Sequence, residues 1–424
     1  MQVPSVVNDF LALLKRSRLL SWDDLQDAAV TIAQLKDPSP EVVARALVED
    51  GYLTQYQADR LLDGNARGLV VDGYKILEIL GSGGMGWVYI AEDLETKWRV
   101  ALKVLPESSR QEAGSLARFQ LEAQAGMRLK HPNIVHTYAI HQAEGIYGLS
   151  HYVVMELVRG VNLFELLLMK KKLDIGQACD IIMQTAEGLA YSHEQGLIHR
   201  DVKPENLLVC TDGTVKILDF GLAMVDEHDE EFSMAMIFGQ NRLGTADYIS
   251  PEQYIDSYQI DARADIYSLG CTFYFALTGK VPFPFKSSGQ KLKGHLKKRP
   301  TPVQQLRPDV PKRVAAIVNK LMAKHPDNRI QTAADVVRYL KPYAERQTMS
   351  INFRSVLNAR TAQAKKRQAN EPAKARPAST NHLEVILEPR SSEIAPPPDK
   401  TRQSTIETIV NEETRVDQPP HPDK

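Results

Sequence analysis

His199-Arg200-Asp201-Val202-Lys203-Pro204-Glu205-Asn206 is followed, after a short apolar stretch, by Asp219-Phe220-Gly221. Asp201 is a carboxylate that can take a hydroxyl proton, and Lys203 is an ammonium that can face a phosphate. Asn206 and Asp219 are hard oxygen donors of the kind magnesium prefers, since that ion keeps water and phosphate oxygens in its shell. Together these are the groups that phosphoryl transfer needs. In that chemistry the protein mostly positions groups and neutralises charge.

The spacing matches the catalytic loop and metal loop of protein kinases. From these residues onward the chain resembles the eukaryotic-like bacterial Ser/Thr protein kinases. The resemblance implies an α+β, two-lobed fold, with a strand-rich N-lobe and a helical C-lobe. It also implies ATP as phosphate donor and Mg2+ as the metal, with Mn2+ able to serve in its place. Strand-like runs at 74–80, 87–92, 98–105 and 152–157, then helical patterns at 175–195 and 314–323, follow that layout.

Gly81-Ser82-Gly83-Gly84-Met85-Gly86-Trp87-Val88 follows the first strand-like run. Dinucleotide folds also use Gly-x-Gly-x-x-Gly, but there a helix opens at the glycines. Here Trp87, Val88, Tyr89 and Ile90 favour a strand instead. The glycines therefore read as a hairpin lid that can approach phosphates closely, because no Cβ intervenes.

The resemblance assigns roles to further residues. Lys103, in Val100-Ala101-Leu102-Lys103, pairs with the α and β phosphates. Its ion-pair partner is Glu122, within the helical pattern Arg118-Phe119-Gln120-Leu121-Glu122-Ala123; Glu112 competes but precedes Gly114-Ser115 and falls before the helix. Ala101 leaves room for adenine, and Leu80, Val88 and Leu208 pack on its faces. Met155 is the gatekeeper, and residues 156–158, with Glu156 and Val158 at the ends, present hinge backbone. Asp201 acts as base, an effect of ~10²–10⁴-fold. Lys203 neutralises the moving γ-phosphate, and a lysine here argues for Ser/Thr acceptors in protein substrates. Phe220 packs beneath the loop, and Gly221 permits the turn.

Gly244-Thr245-Ala246-Asp247-Tyr248-Ile249-Ser250-Pro251-Glu252 closes the activation segment, with Ala246 where the family more often has proline. Thr245 helps fix the acceptor near Asp201 and Lys203. Glu252 is expected to pair with Arg329, and Asp265 to hold the catalytic-loop backbone. A pseudokinase scaffold is the competing interpretation. It is disfavoured because Lys103, Glu122, Asp201, Asn206 and Asp219 are all present. The 244–252 segment disfavours a small-molecule kinase.

The 424 residues exceed one ordinary core, so two or three units are expected. Residues 1–70 read as a helical docking or regulatory module, 73–343 as the catalytic domain, and 345–424 as a polar, proline-rich, disordered tail. Within the tail, 351–364 can continue as a short helix. Ser21 with Asp24, and Thr54 with Gln57, look like helix caps; the second fits the capping box and the first approximates it. The two helix starts can be laid on one another as a weak repeat, with Phe10 falling on Val43.

A formal charge of -1 gives no bulk attraction to nucleic acid or anionic membrane. No basic-then-apolar leader opens the chain, and no run of about 18 apolar residues suggests a membrane span. Cys179, Cys210 and Cys271 are widely separated and suggest neither a disulfide frame nor a metal site. A cytoplasmic protein is expected.

Arg200 can order the activation segment through a negative charge, either phosphorylated Ser233 or an acidic residue among Asp226, Glu227, Asp229, Glu230 and Glu231. The hydroxyl cluster Thr401, Ser404, Thr405 and Thr408 offers autophosphorylation sites for a phosphothreonine-reading partner.

Overall fold

A computed structural model describes residues 3–83, 86–105, 115–145, 148–220, 245–255 and 260–370. Side chains at 82, 83, 115, 118, 144, 145, 148–150, 245 and 363–370 fall outside that description.

Four helices come first: Val7–Ser17 (α1), Trp22–Ala33 (α2), Pro40–Glu49 (α3) and Gln55–Leu62 (α4). Both anticipated caps form as reciprocal boxes. Ser21 and Thr54 accept the N–H of Asp24 and Gln57, whose side chains accept the cap N–H in return. Aspartate thus completes the first box, which the sequence only approximated. Phe10, Leu14, Val43, Leu47 and Leu61 share one buried cluster. Phe10 and Val43, the pair that the repeat superposes, are both fully buried there.

Antiparallel strands follow: Val70–Val71 (β1), Tyr74–Gly83 (β2), Gly86–Asp93 (β3), Arg99–Leu105 (β4), Thr137–Gly145 (β5) and Gly148–Glu156 (β6). Their spatial order is β1-β2-β3-β4-β6-β5. Strand side chains alternate between faces. Ile76, Ala91, Val100, Leu102, Tyr152 and Val154 form the outer core, against which Tyr56 of α4 packs. Lys103 lies opposite Val88 and Val153 in register, and Ala101 opposite Ile90 and Met155, so these six share the inner face. Helix Ser115–Arg128 (α5) covers part of that face, with Phe119 and Ala123 packed against Leu105 and Val153.

The helical lobe contains Leu163–Lys170 (α6), Ile175–Glu194 (α7), Pro251–Ile255 (α8), Arg263–Thr278 (α9), Ser288–Lys297 (α10), Val303–Leu306 (α11), Lys312–Leu321 (α12) and Ala333–Leu340 (α13). Strands Gly160–Asn162 (β7), Leu207–Cys210 (β8) and Val215–Ile217 (β9) make a small sheet in the order β7-β8-β9. Residues 264–277 of α9 are all buried, as expected of a central helix that lacks a polar face.

The packed chain reaches beyond the boundary expected at 343. Glu345 N–H donates to Gly176 carbonyl (3.0 Å) and Met349 N–H to Thr211 carbonyl (2.6 Å). Met349 joins the main core, and helix Phe353–Asn370 (α14) follows. Met349 and Leu357 are both buried, and Ala344, Ile351 and Val356 pack partly buried against the main core. The tail residues 371–424, with their hydroxyl cluster, lie outside the described residues. Among the described residues, no helix is long and apolar enough to cross a membrane.

Candidate active site

The catalytic-loop residues converge through local bonds. Asp201 Oδ2 lies 2.8 Å from Lys203 Nζ, and Asn206 Nδ2 donates to the Asp201 carbonyl at 2.9 Å. A short turn over Pro204–Asn206, begun by a proline whose missing N–H costs nothing there, points Asn206 back at Asp201. The Asn206 carbonyl in turn accepts the Leu218 N–H at 2.8 Å, which ties this loop to the run that ends in Asp219.

His199 joins the same two segments. Its Nε2 lies 2.9 Å from the Leu218 carbonyl, and its Nδ1 lies 3.2 Å from the Asp201 N–H. One tautomer satisfies both, with Nε2 donating and Nδ1 accepting. Phe220 is buried and packs on the His199 ring at 4.7 Å between centroids. Sequence reasoning assigns His199 no such role; its place directly before Arg200-Asp201 is the one signal that points to it.

Asp265, at the start of α9, accepts the backbone N–H groups of His199 and Arg200, both at 2.8 Å, and His193 Nε2 at 2.8 Å. Burial alone would push its carboxyl up, but His193 and the other donors hold it below the ordinary aspartate value.

Lys103 Nζ contacts Glu122 Oε1 on α5 and lies 3.1 Å from Asp219 Oδ1. Burial works against the Lys103 charge, but Asp219 and Glu122 outweigh it and raise its pKa. Against the upward pull of partial burial, the Lys103 ammonium holds the Asp219 carboxyl well below the usual carboxylate range. Glu122 moves up, first through burial and then through competition with Asp219 for one ammonium. Asp219 adopts a left-handed φ of 57°, and its side chain remains 44% exposed towards the cleft.

Leu80 and Gly81 lie on β2, with Gly81 opposite Val88. Gly86 opens β3 at φ 139°, a backbone conformation that side-chain-bearing residues avoid. The backbones of Ser82 and Gly83 continue β2, whereas Gly84 and Met85 lie outside the described residues. Met155 lines a cavity together with Lys103, Phe119, Glu122, Val153 and Asp219. Glu156 ends β6 and aims its carboxylate at Lys216, 2.9 Å away; Val158 is buried, and Leu208 lies on β8 opposite Asn162. The Thr245 backbone begins a short turn, but its side chain lies outside the description, as do residues Glu112, Gly221 and Ser233.

Among the described residues, no group of three or more His, Cys, Asp or Glu side chains could hold a metal. A two-residue donor set is compatible with magnesium, which binds through one or two protein oxygens plus phosphates and water. Asn206 fits such a set: its nitrogen is spent on the Asp201 carbonyl, which leaves its amide oxygen as the other end of the group.

Residues 74–340 match the protein kinase domain. Serine/threonine-protein kinase PknB of Mycolicibacterium smegmatis is 39% identical over 267 residues, which cover 62% of this chain and 42% of that protein. The PknB proteins of Mycobacterium tuberculosis and Mycobacterium leprae are each 38% identical over 267 residues, with the same coverage. The chain thus spans 42% of the length of these curated relatives.

Proposed function

Because the chain belongs to the protein kinase domain family, we propose that it is a Ser/Thr protein kinase that transfers the γ-phosphate of ATP to hydroxyls of protein substrates. One observation carries this: Lys103 reaches both Glu122 and Asp219, while Asp201, Lys203 and Asn206 are bonded into one loop.

Asp201 orients the acceptor hydroxyl and takes its proton as the oxygen attacks the γ-phosphorus. The bond between that phosphorus and the β–γ bridging oxygen breaks, and ADP leaves. Lys203, beside Asp201, offsets charge on the moving phosphoryl group, and Lys103 holds the α and β phosphates. Leu80, Val88, Ala101 and Leu208 enclose the adenine, Met155 bounds the space behind it, and Glu156 and Val158 flank the hinge. Gly81, Ser82, Gly83, Gly84, Met85 and Gly86 form the lid. Asn206 and Asp219 would hold the magnesium, which supplies positive charge to the phosphates when bound. Thr245 helps seat the acceptor.

A module that reads phosphothreonine is a fitting partner for the tail hydroxyls. ATP use and three unpaired cysteines suit a cytoplasmic setting.

The test is labelled ATP with a generic protein acceptor, run beside Asp201→Asn. Transfer by the wild type, with a loss of about 100-fold or more in the variant, is expected. Acid hydrolysis of the product should release phosphoserine or phosphothreonine. No transfer by the wild type with magnesium or manganese present would overturn the proposal.

A further inference from the structure

The stretch after α13 occupies a built path. An added Cβ at Gly176 would sit 2.8 Å from Glu345, and one at Gly213 would sit 2.6 Å from the Gln347 carbonyl oxygen. Gly213 also has φ +82°. Both glycines therefore leave room for this segment. The path leads to α14, where the Ser355 N–H donates to Asn352 Oδ1 at 3.0 Å as the helix opens.

Arg360 sits two turns along that helix. Its Nε and Nη2 meet Glu165 Oε1 and Oε2 at 3.0 and 2.6 Å, a two-pronged pair. Its Nη1 lies 3.3 Å from the carbonyl of Leu80. Glu165 is anchored in turn, because it caps α6 through the Asn162 N–H at 3.0 Å. The Arg360 and Glu165 side chains are only 15% and 28% exposed, so solvent screens the pair weakly. One guanidinium therefore bridges the residue just before Gly81 and the helix that follows β7.

Glycine-rich backbone has no side chains with which to hold itself, so its position depends on its neighbours. We infer that Arg360 is a positioning residue for the nucleotide: by tying Leu80 to Glu165, it sets where the glycine-rich strand lies over the phosphates. This rests on the kinase function proposed above. The same helix packs against β2 itself, so the strand that carries the glycines rests on α14 as well as on this one bridge.

The experiment uses the full chain with Arg360→Ala, Glu165→Gln and the double variant. Glu165→Gln keeps an oxygen for the Asn162 N–H while weakening the pair. KM for MgATP, kcat, melting temperature and the Kd of a non-hydrolysable ATP analogue are measured. Arg360→Ala should raise KM and that Kd by about 10-fold, with a much smaller change in kcat. The double variant should be little worse than Arg360→Ala alone, because both changes remove one linkage. Unchanged KM and Kd in Arg360→Ala, with or without a lower melting temperature, would overturn the inference. A wild type that neither binds the analogue nor transfers phosphate would instead sink the parent function, so the two failures are distinct.

Discussion

Asp265 holds the backbone N–H of Arg200 at 2.8 Å, and Arg200 stands at a φ of 63° that an L-residue adopts reluctantly. A left-handed residue costs roughly 1–2 kcal/mol, so something must fix it. The buried carboxylate does so, with the His199 N–H shared on its other oxygen. Asp201 follows directly. Its aim therefore depends on a residue at the start of α9 that never meets substrate.

Asp265→Asn places an amide NH2 where a backbone donor now points. The loop should shift, and kcat should fall by about 100-fold, the scale on which ångström misplacement acts. KM for ATP should move much less, because Lys103 and the glycine strand lie elsewhere. Steady-state kinetics on folded protein checks this; a variant with wild-type kcat refutes the positioning role.

Arg329 is fully buried, and each of its five N–H donors has a partner. Two go to Glu252, at 2.5 and 2.7 Å, and the other three to the carbonyls of Ala323, Arg263 and Lys324. Lysine has three donors on a point charge and cannot replace that fork. Arg329→Lys should therefore lose stability despite keeping its charge. Glu252→Ala should cost about 3–5 kcal/mol, because it strands a buried cation. Chemical denaturation of both variants measures this, and a loss below about 1 kcal/mol in Glu252→Ala would contradict it.

Much of the two-lobed architecture could be read from the sequence, because its signals are local. The β-favouring Trp87, Val88, Tyr89 and Ile90 after the glycines point to a hairpin, which β2 and β3 form. The Glu252–Arg329 pair and the Asp265 contacts are expected from the family resemblance, and the protein forms both. Arg360 could not be foreseen. It lies in a polar stretch, and its partners Glu165 and Leu80 are distant in sequence, with no motif to join them. The extent of the folded chain was hidden for the same reason: the apolar residues Met349, Ile351, Val356 and Leu357 are buried or partly buried only because a surface distant in sequence receives them.

Gln57 couples the amino-terminal helices to the sheet. Its Oε1 accepts the Thr54 N–H at 2.9 Å, completing the α4 cap, while its Nε2 donates to the Ile76 carbonyl at 2.6 Å. Thr54 Oγ1 donates to the Leu77 carbonyl at 2.6 Å, where a register shift interrupts the β2–β3 pairing. Such a shift leaves backbone groups without ladder partners, and the helix cap meets one of them. Gln57→Ala should cost about 2 kcal/mol, combining a lost cap with an orphaned buried carbonyl. It should also speed hydrogen exchange in 54–62 and 74–80 together. Faster exchange confined to the helices would show that the cap does not bind the two parts.

His295 supplies the pH dependence that is simplest to isolate. It lies buried beside Tyr267, whose hydroxyl is 3.0 Å from its Nδ1, and edge-on to Phe283. Burial first, and the nearby Lys324 ammonium second, push its pKa down to about 3 from an ordinary 6.5. Lys291 adds in the same direction, although its own charge is paired with Asp247 at 2.6 Å. The folded protein thus binds fewer protons here than the unfolded chain. The resulting stability is complete above pH 6.5 and is lost as pH falls towards 3. The slope is at most about 1.4 kcal/mol per pH unit from this one group. His295→Gln keeps an acceptor for Tyr267 but cannot titrate. Between pH 7 and pH 5, where most carboxylates stay ionised, the wild type should lose more denaturant resistance than this variant. Equal losses in the two proteins would mean that His295 is not the group responsible.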